Sequence, residues 1–294
     1  MTSNASVENV HIETYESNVR YLAQQMISRA RPWVMERSTN GEGHNWDRIG
    51  DAEATLKTPV GGPTGRNVQT PEDNYPFSRR RSTPGTWHTG DTTEPEDLVK
   101  VLIDPNSSIA NSQAMAMVRA IDDEIFDAAE RDADDGNGGT VALPAGQQVG
   151  DGSTNITYDL VTEVTEKFLN NDIDPDEEKV WFLDPGNVRK LLQLTEFTSA
   201  DYNSMRPLEQ GQIVKHMGYT WVPSTRLNIP AAGRVNNIVM TRKALGLQVN
   251  EDIVARVQED PTISFAWRIY CRATFGAVRV EDEHIVLADL ATAV

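Results

Sequence analysis

The chain has 294 residues, 38% of them hydrophobic, and a formal net charge of −17. That length leaves room for one large domain or two medium ones with ample core, and the acidic balance excludes a general nucleic-acid binder, which needs clustered Lys and Arg to hold phosphate. The single cysteine, Cys271, excludes an intramolecular disulfide framework and a cysteine-rich metal site, and no run approaches the roughly 18 apolar residues of a membrane span.

Residues 1–35 read as an arm. Its first residues lack the basic and apolar regions of a secretory signal. Tyr15, Val19, Leu22, Met26 and Ile27 recur at helical spacing, and Pro32 stops the pattern. Residues 36–96 change character, with many glycines and prolines and few large apolar residues, among them Ile49, Leu56, Val60, Val68 and Phe77. Gly61-Gly62-Pro63-Thr64-Gly65 reads as a tip, with residues 51–58 and 66–70 as flanking strands. A long loop with so little core material is either functional or disordered. If ordered, it takes its contacts from another molecule.

From Asp104 to Gly136 the chain becomes helical. Ile109, Gln113, Met117, Ile121 and Ala128 trace one face, thickened by Ala114, Val118 and Ile125. Asp104-Pro105 marks the start, and the glycines from Gly136 onward mark a left-handed exit. The opposite face carries Arg119, Asp122, Asp123, Asp127 and Arg131, and is therefore wet or meets another chain.

Clearer alternation of helix and strand follows a short strand over 140–143. A helix is expected over Tyr158–Leu169, a buried strand over Lys179–Leu183, and a helix capped by Asp184 and opened by Pro185. Residues 211–223 read as a hairpin-like pair. Strands are then expected over 236–240 and 245–249, with a third short element over 252–257. From 264 to 290 apolar residues alternate through Phe265, Trp267, Ile269 and Cys271, with a turn near Gly276. The simplest architecture packs these closing strands on the long helix and makes the segment before them an inserted lobe.

The catalytic inventory is poor. His11, His44, His88, His216 and His284 are scattered, without an HExxH pair, and no GxSxG elbow is present. Asp172, Asp174 and Asp176 resemble the start of a calcium loop, but Glu177 and Leu183 stand where it needs glycine and glutamate. No catalytic residue, cofactor or metal is therefore expected. The basic cluster Arg79-Arg80-Arg81 makes sense as an inter-subunit clamp for carboxylates, because guanidinium is planar and bidentate. Arg66 and Lys57 near the loop tip, with Arg119, Asp122 and Asp123 on the outer helical face, complete the candidates for contact between subunits.

The order of arm, loop, long helix, α/β lobe and closing strands resembles the major capsid protein of tailed bacteriophages and related archaeal viruses. The likeness extends to Phe77-Ser-Arg-Arg-Arg81, the run Asp97 to Pro105, Arg119-Ala-Ile-Asp-Asp123, Thr198 to Asn203, Gly218-Tyr-Thr-Trp221, Ser224 to Leu227 and Gly276-Ala-Val-Arg279. It implies an α+β chain with the HK97-like capsid fold: an arm at 1–35, an extended β-hairpin loop at 36–96, a peripheral domain at 97–150 with the spine helix, an axial domain at 151–261, and peripheral closing strands at 262–294. The implied function is self-assembly, as pentamers and hexamers, into an icosahedral shell around double-stranded DNA, without sequence-specific binding, enzymatic activity or a membrane. A separate scaffolding protein, a portal and a decoration protein are the implied partners; the arm is too short for a long built-in scaffold. The rival readings are the shell protein of a cellular encapsulin-type compartment and an α/β hydrolytic enzyme.

Overall fold

The computed structural model describes residues 24–51, 54, 75–94, 105–194 and 215–292. Two sheets enclose one helix. The four-stranded sheet has the order β1-β12-β13-β4, with β1 (Met35–Ser38), β4 (Gly85–Thr93), β12 (Leu245–Asp260) and β13 (Ala266–Arg279). The six-stranded sheet has the order β7-β14-β11-β8-β10-β9, with β7 (Gln148–Val149), β8 (Lys179–Leu183), β9 (Lys215–His216), β10 (Tyr219–Pro223), β11 (Arg234–Thr241) and β14 (Ile285–Ala291). Two ribbons complete the strands: β2 (His44–Ile49) with β3 (Phe77–Ser82), and β5 (Ala133–Asp134) with β6 (Thr140–Val141).

The spine is helix α1, Pro105–Glu130. Its Met117, Ile121, Ile125, Phe126, Ala128 and Ala129 are buried. They share a core with Cys271, Ala273 and Phe275 of one sheet and with Val180, Phe182, Ile238 and Leu287 of the other. Phe126 meets Phe182 edge-on with ring centroids 5.1 Å apart. The helix stops at Glu130, earlier than the glycines suggest. Gly136 (φ +73) and Gly138 (φ +93) instead turn the β5–β6 ribbon.

The six-stranded sheet is covered on both sides. Strand β8 alternates accordingly: Val180 and Phe182 enter the spine core, while Trp181 and Leu183 enter a second core. That second core receives Leu160, Val161, Val164 and Phe168 from α2 (Tyr158–Asn170), and Leu191 from α3 (Pro185–Leu191). A strand buried on both faces has no polar side, which is why Val180 to Leu183 are continuously apolar after the opening Lys179. Each such side chain contributes about 1.5–3 kcal/mol of burial. Thr157 caps α2 and the Asp184 carboxylate caps α3 by accepting from the Gly186 amide at 2.9 Å. These elements fall where their spacing puts them.

Two expectations need correction. The two short strands expected at 245–249 and 252–257 are one sixteen-residue strand, β12, bulged between Val249 and Val254. No turn falls at Gly276, because β13 runs through it. A Cβ there would lie 2.6 Å from the Thr83 carbonyl oxygen and 2.8 Å from Pro84 Cα, so glycine serves close approach of a neighbouring loop. Strand β12 pairs with β13 beside the spine, whereas β14 joins the six-stranded sheet. The expected loop strand at 66–70, most of that at 51–58, and the arm helix as far as Leu22 lie outside the described residues; Met26 and Ile27, expected to continue that helix, lie in irregular backbone, as do residues 51 and 54.

Gly246 of β12 supports the Trp46 indole, which lies where a Cβ would sit 2.5 Å from its Cε2 atom. Gly246→Ala is expected to lower stability by about 1–3 kcal/mol through overpacking, read as a lower urea midpoint with an unchanged slope.

Candidate functional site: an assembly surface

The β2–β3 ribbon lies within the segment expected to form an extended loop, and its register sorts the residues onto two faces. Trp46 lies opposite Arg80, Asp47 opposite Arg79, and Ile49 opposite Phe77. Strand side chains alternate, so the three consecutive arginines cannot act as one clamp. Arg80 turns inward and is 6% exposed, whereas Arg79 is exposed and Arg81 half-buried.

The inward face is pinned to the fold. Arg80 Nη2 donates to Asp282 Oδ2 at 2.8 Å, and Arg279 Nε donates to Asp282 Oδ1 at 2.6 Å. Arg279 is 0% exposed and spends its remaining donors on backbone carbonyls. Nη1 reaches Arg131 O at 2.7 Å and Ala129 O at 3.3 Å, and Nη2 reaches Val141 O at 2.8 Å. Two of these carbonyls end the spine helix, where unpaired acceptors and the negative dipole end favour a cation. Trp46 adds a second pin: its Nε1 donates to Ser82 Oγ at 3.2 Å, which lies 2.8 Å from Gln248 Oε1. Sequence reasoning missed Arg279 and Asp282. The available signal was an arginine between Val278 and Val280 in an otherwise apolar strand end.

The outward face is different. Ile49 is 62% exposed and Phe77 78% exposed, directly across from one another and on the same face as Arg79 and Arg81. Neither arginine has an ion-pair partner among the described residues. Paired arginines beside an uncovered apolar pair form a surface suited to another protein.

The helical face expected to be wet or to meet another chain is covered at Arg119, Asp122 and Asp123 by the chain itself. Asp122 is 0% exposed. Its carboxylate accepts from the backbone amides of Arg29 at 3.0 Å and Ala30 at 3.2 Å, and from the side chains of Gln25 and Ser28. Asp122 thus holds the arm against the spine. Arg119 Nη1 donates to Gln24 Oε1 at 2.9 Å, and Asp123 accepts from Arg226 Nε at 2.8 Å. Farther along the arm, Arg31 bridges Glu36 at 2.8 Å and Asp252 at 3.1 Å. Hydrogen bonds from Arg31 hold both carboxyls below their ordinary values. Lys57 and Arg66 lie outside the described residues.

Nothing described gathers into a reaction centre. No cluster of three His, Cys, Asp or Glu positioned for a metal ion occurs among the described residues. Cys271 is buried, and burial pushes its thiol pKa up, away from the nucleophilic thiolate. The calcium-like run carries its own cation: Lys179 Nζ donates to the carbonyls of Asp174 at 2.9 Å, Glu177 at 3.1 Å and Pro175 at 3.3 Å. No helix among the described residues is long and apolar enough to cross a membrane.

A spine helix clasped by two sheets thus carries a pinned ribbon that presents an uncovered face. The phage capsid protein family matches residues 7–290. Among solved structures, the capsid of cyanophage P-SCSP1u superposes with a TM-score of 0.74 at 14% identity, covering 97% of this chain and 94% of that one. The capsid of cyanophage Pam1 gives 0.73 at 12% identity, covering 99% and 100%. The capsid of a native GTA particle gives 0.70 at 12%, covering 99% and 100%. No curated protein matches the sequence. The chain belongs to the phage capsid protein family; it is a capsid shell protein and not an enzyme, with the HK97-like α+β fold.

Asp282→Asn leaves two buried guanidinium groups without their carboxylate and is expected to cost about 3–5 kcal/mol, measured by urea unfolding. Asp122→Ala frees the arm, and trypsin is expected to cut after Arg29 at least roughly tenfold faster, the equivalent of about 1.4 kcal/mol. The Arg31 clamp responds to acid. Because the Glu36 and Asp252 carboxyls titrate lower when folded, their stabilisation is present above their unfolded values of about 4. It is lost as pH falls through the depressed folded values. Amide protection factors over residues 28–36 should therefore drop in that acid range and hold steady above pH of about 5.

Proposed function

We propose that the chain is the repeating subunit of a tailed-phage head, closing as pentamers and hexamers around double-stranded DNA. The observation that carries this reading is the outward face of the β2–β3 ribbon, where Ile49 and Phe77 stand uncovered beside Arg79 and Arg81. A ribbon rigidly joined to the spine through Arg80, Asp282 and Arg279 transmits its orientation to whatever it touches. Lying over a neighbouring subunit gives that surface a partner. Arg79, Arg81, Arg66 and Lys57 are the proposed contacts of the loop. Arg119, Asp122 and Asp123 are assigned to holding the arm and the 223–226 segment.

Sheet pairing supports drawing the peripheral domain around α1, β12 and β13, and the axial domain around the six-stranded sheet with α2 and α3. The net charge of −17 suits a lining that does not grip phosphate, so that a genome can be packed and released. A separate scaffolding protein, a portal and a decoration protein complete the proposed assembly. Many modest repeated contacts then sum to a stable shell.

Negative-stain microscopy of the purified chain, alone and with its scaffold, tests the proposal. Closed polyhedra, rings or tubes are expected; a monomer under all salt conditions would sink it. Replacing both Ile49 and Phe77 with Asp should abolish shells while changing monomer stability by no more than about 0.5 kcal/mol, as befits exposed positions.

A further inference from the structure

A second uncovered surface lies on the outer half of the β12–β13 hairpin. The register sets Val254 opposite Arg272, Arg256 opposite Tyr270, and Gln258 opposite Arg268. Alternation divides β13 cleanly. Ile269, Cys271 and Ala273 face inward and are fully buried, while Arg268, Tyr270 and Arg272 face out. The outward six line a shallow groove of about 420 Å³. Three guanidinium groups along one groove are a local concentration of positive charge in a chain of net −17.

Their charge is only partly matched within the chain. Arg268 reaches Asp260 at 3.4 Å through one nitrogen, and Arg272 reaches Glu251 at 2.9 Å through one nitrogen. Arg256 has no carboxylate partner among the described residues. The hairpin tip is unusual as well. Ala266 N donates to Ile263 O at 2.7 Å, closing a turn in which Ser264 (φ 47) and Phe265 (φ 57) are both left-handed. That geometry is normally left to Asn-Gly, and a bulky residue held there is strained. The strained residue is an aromatic, 63% exposed.

We propose that the outward face of this hairpin, Arg256, Arg268 and Arg272 around Tyr270, docks a carboxylate-bearing surface of a second copy of this chain, with Phe265 as the apolar anchor at its tip. The inference rests on the shell reading and names where like-charged subunits can meet. Association of two chains at −17 is opposed by their net charge. Contact therefore requires patches where cations of one copy face carboxylates of the other. Guanidinium pairs carboxylate bidentately, and Arg with Tyr or Phe is the composition that anchors protein interfaces. The apolar tip favours a protein over a phosphate backbone as the occupant.

The test uses the full chain, assembled without nucleic acid and followed by light scattering, sedimentation and microscopy. One variant combines Arg256→Glu with Arg268→Gln and Arg272→Gln; a second is Phe265→Gly, which relieves the left-handed strain and so leaves the hairpin able to fold. Closed-shell yield is expected to fall at least about tenfold in both, with melting temperature unchanged for the first and unchanged or higher for the second. Wild-type yield of shells from either variant overturns the proposal. So does a charge variant that closes empty shells normally and fails only to retain DNA, which would make the bound anion phosphate. A wild-type chain that never forms shells removes the shell reading, and this inference with it; wild-type shells beside assembling variants remove only the inference.

Discussion

The geometry of the molecule depends on one buried guanidinium. Arg279 stands at the end of β13, is fully buried, and gives its hydrogen bonds to the last carbonyls of the spine helix, to β6, and to Asp282. A buried cation is tolerable only when its donors are satisfied and its charge is balanced. Helix-end carbonyls supply partial negative charge, and Asp282 supplies the rest. Because the same carboxylate holds Arg80, the helix end, β13 and the β2–β3 ribbon share one polar node. Moving any of them breaks hydrogen bonds in all the others.

That node fixes the β2–β3 ribbon to the spine in one orientation. The inward face of the β2–β3 ribbon is consumed by Arg80, Trp46 and Ser82, each with a buried partner. What remains on the outward face is free to serve contact. The arm is treated likewise: Asp122 and Arg31 tie it to the spine and to β12. In both cases a charged group whose spacing points to solvent or a neighbour is used internally, and apolar groups are left outside. This inversion suits a subunit whose stable state is an assembly, since exposed apolar area is costly only until a neighbour covers it.

Much of the architecture was legible because it is written locally. The 3.6-residue period of α2, the apolar run of β8 and the Asp184-Pro185 start of α3 each reflect forces within a few residues. The spine helix was legible for the same reason, from its recurrent apolar face. The shell family was legible from the order of motifs along the chain. The assembly surface was half legible. Ile49 and Phe77 stood out as rare apolar residues in the loop, but which arginines accompany them depends on strand register, and a shift by one residue reverses every side chain.

The sequence by itself determined the elements, the acidic surface, the absence of any nucleophile or metal motif, and the α+β shell fold implied by their order. Tertiary structure alone decided the uses of individual residues. Gly276 looked like a turn and is a gap for Thr83 and Pro84; Asp122 looked like a carboxylate for solvent or a neighbouring subunit and is a buried clasp within the chain; β12 looked like two short elements and is one long strand. The physical reason is common to all three. Periodicity and capping are set by neighbours in sequence, whereas close approach, burial of charge and strand pairing are set by segments far away in the chain, whose positions exist only once the fold has formed.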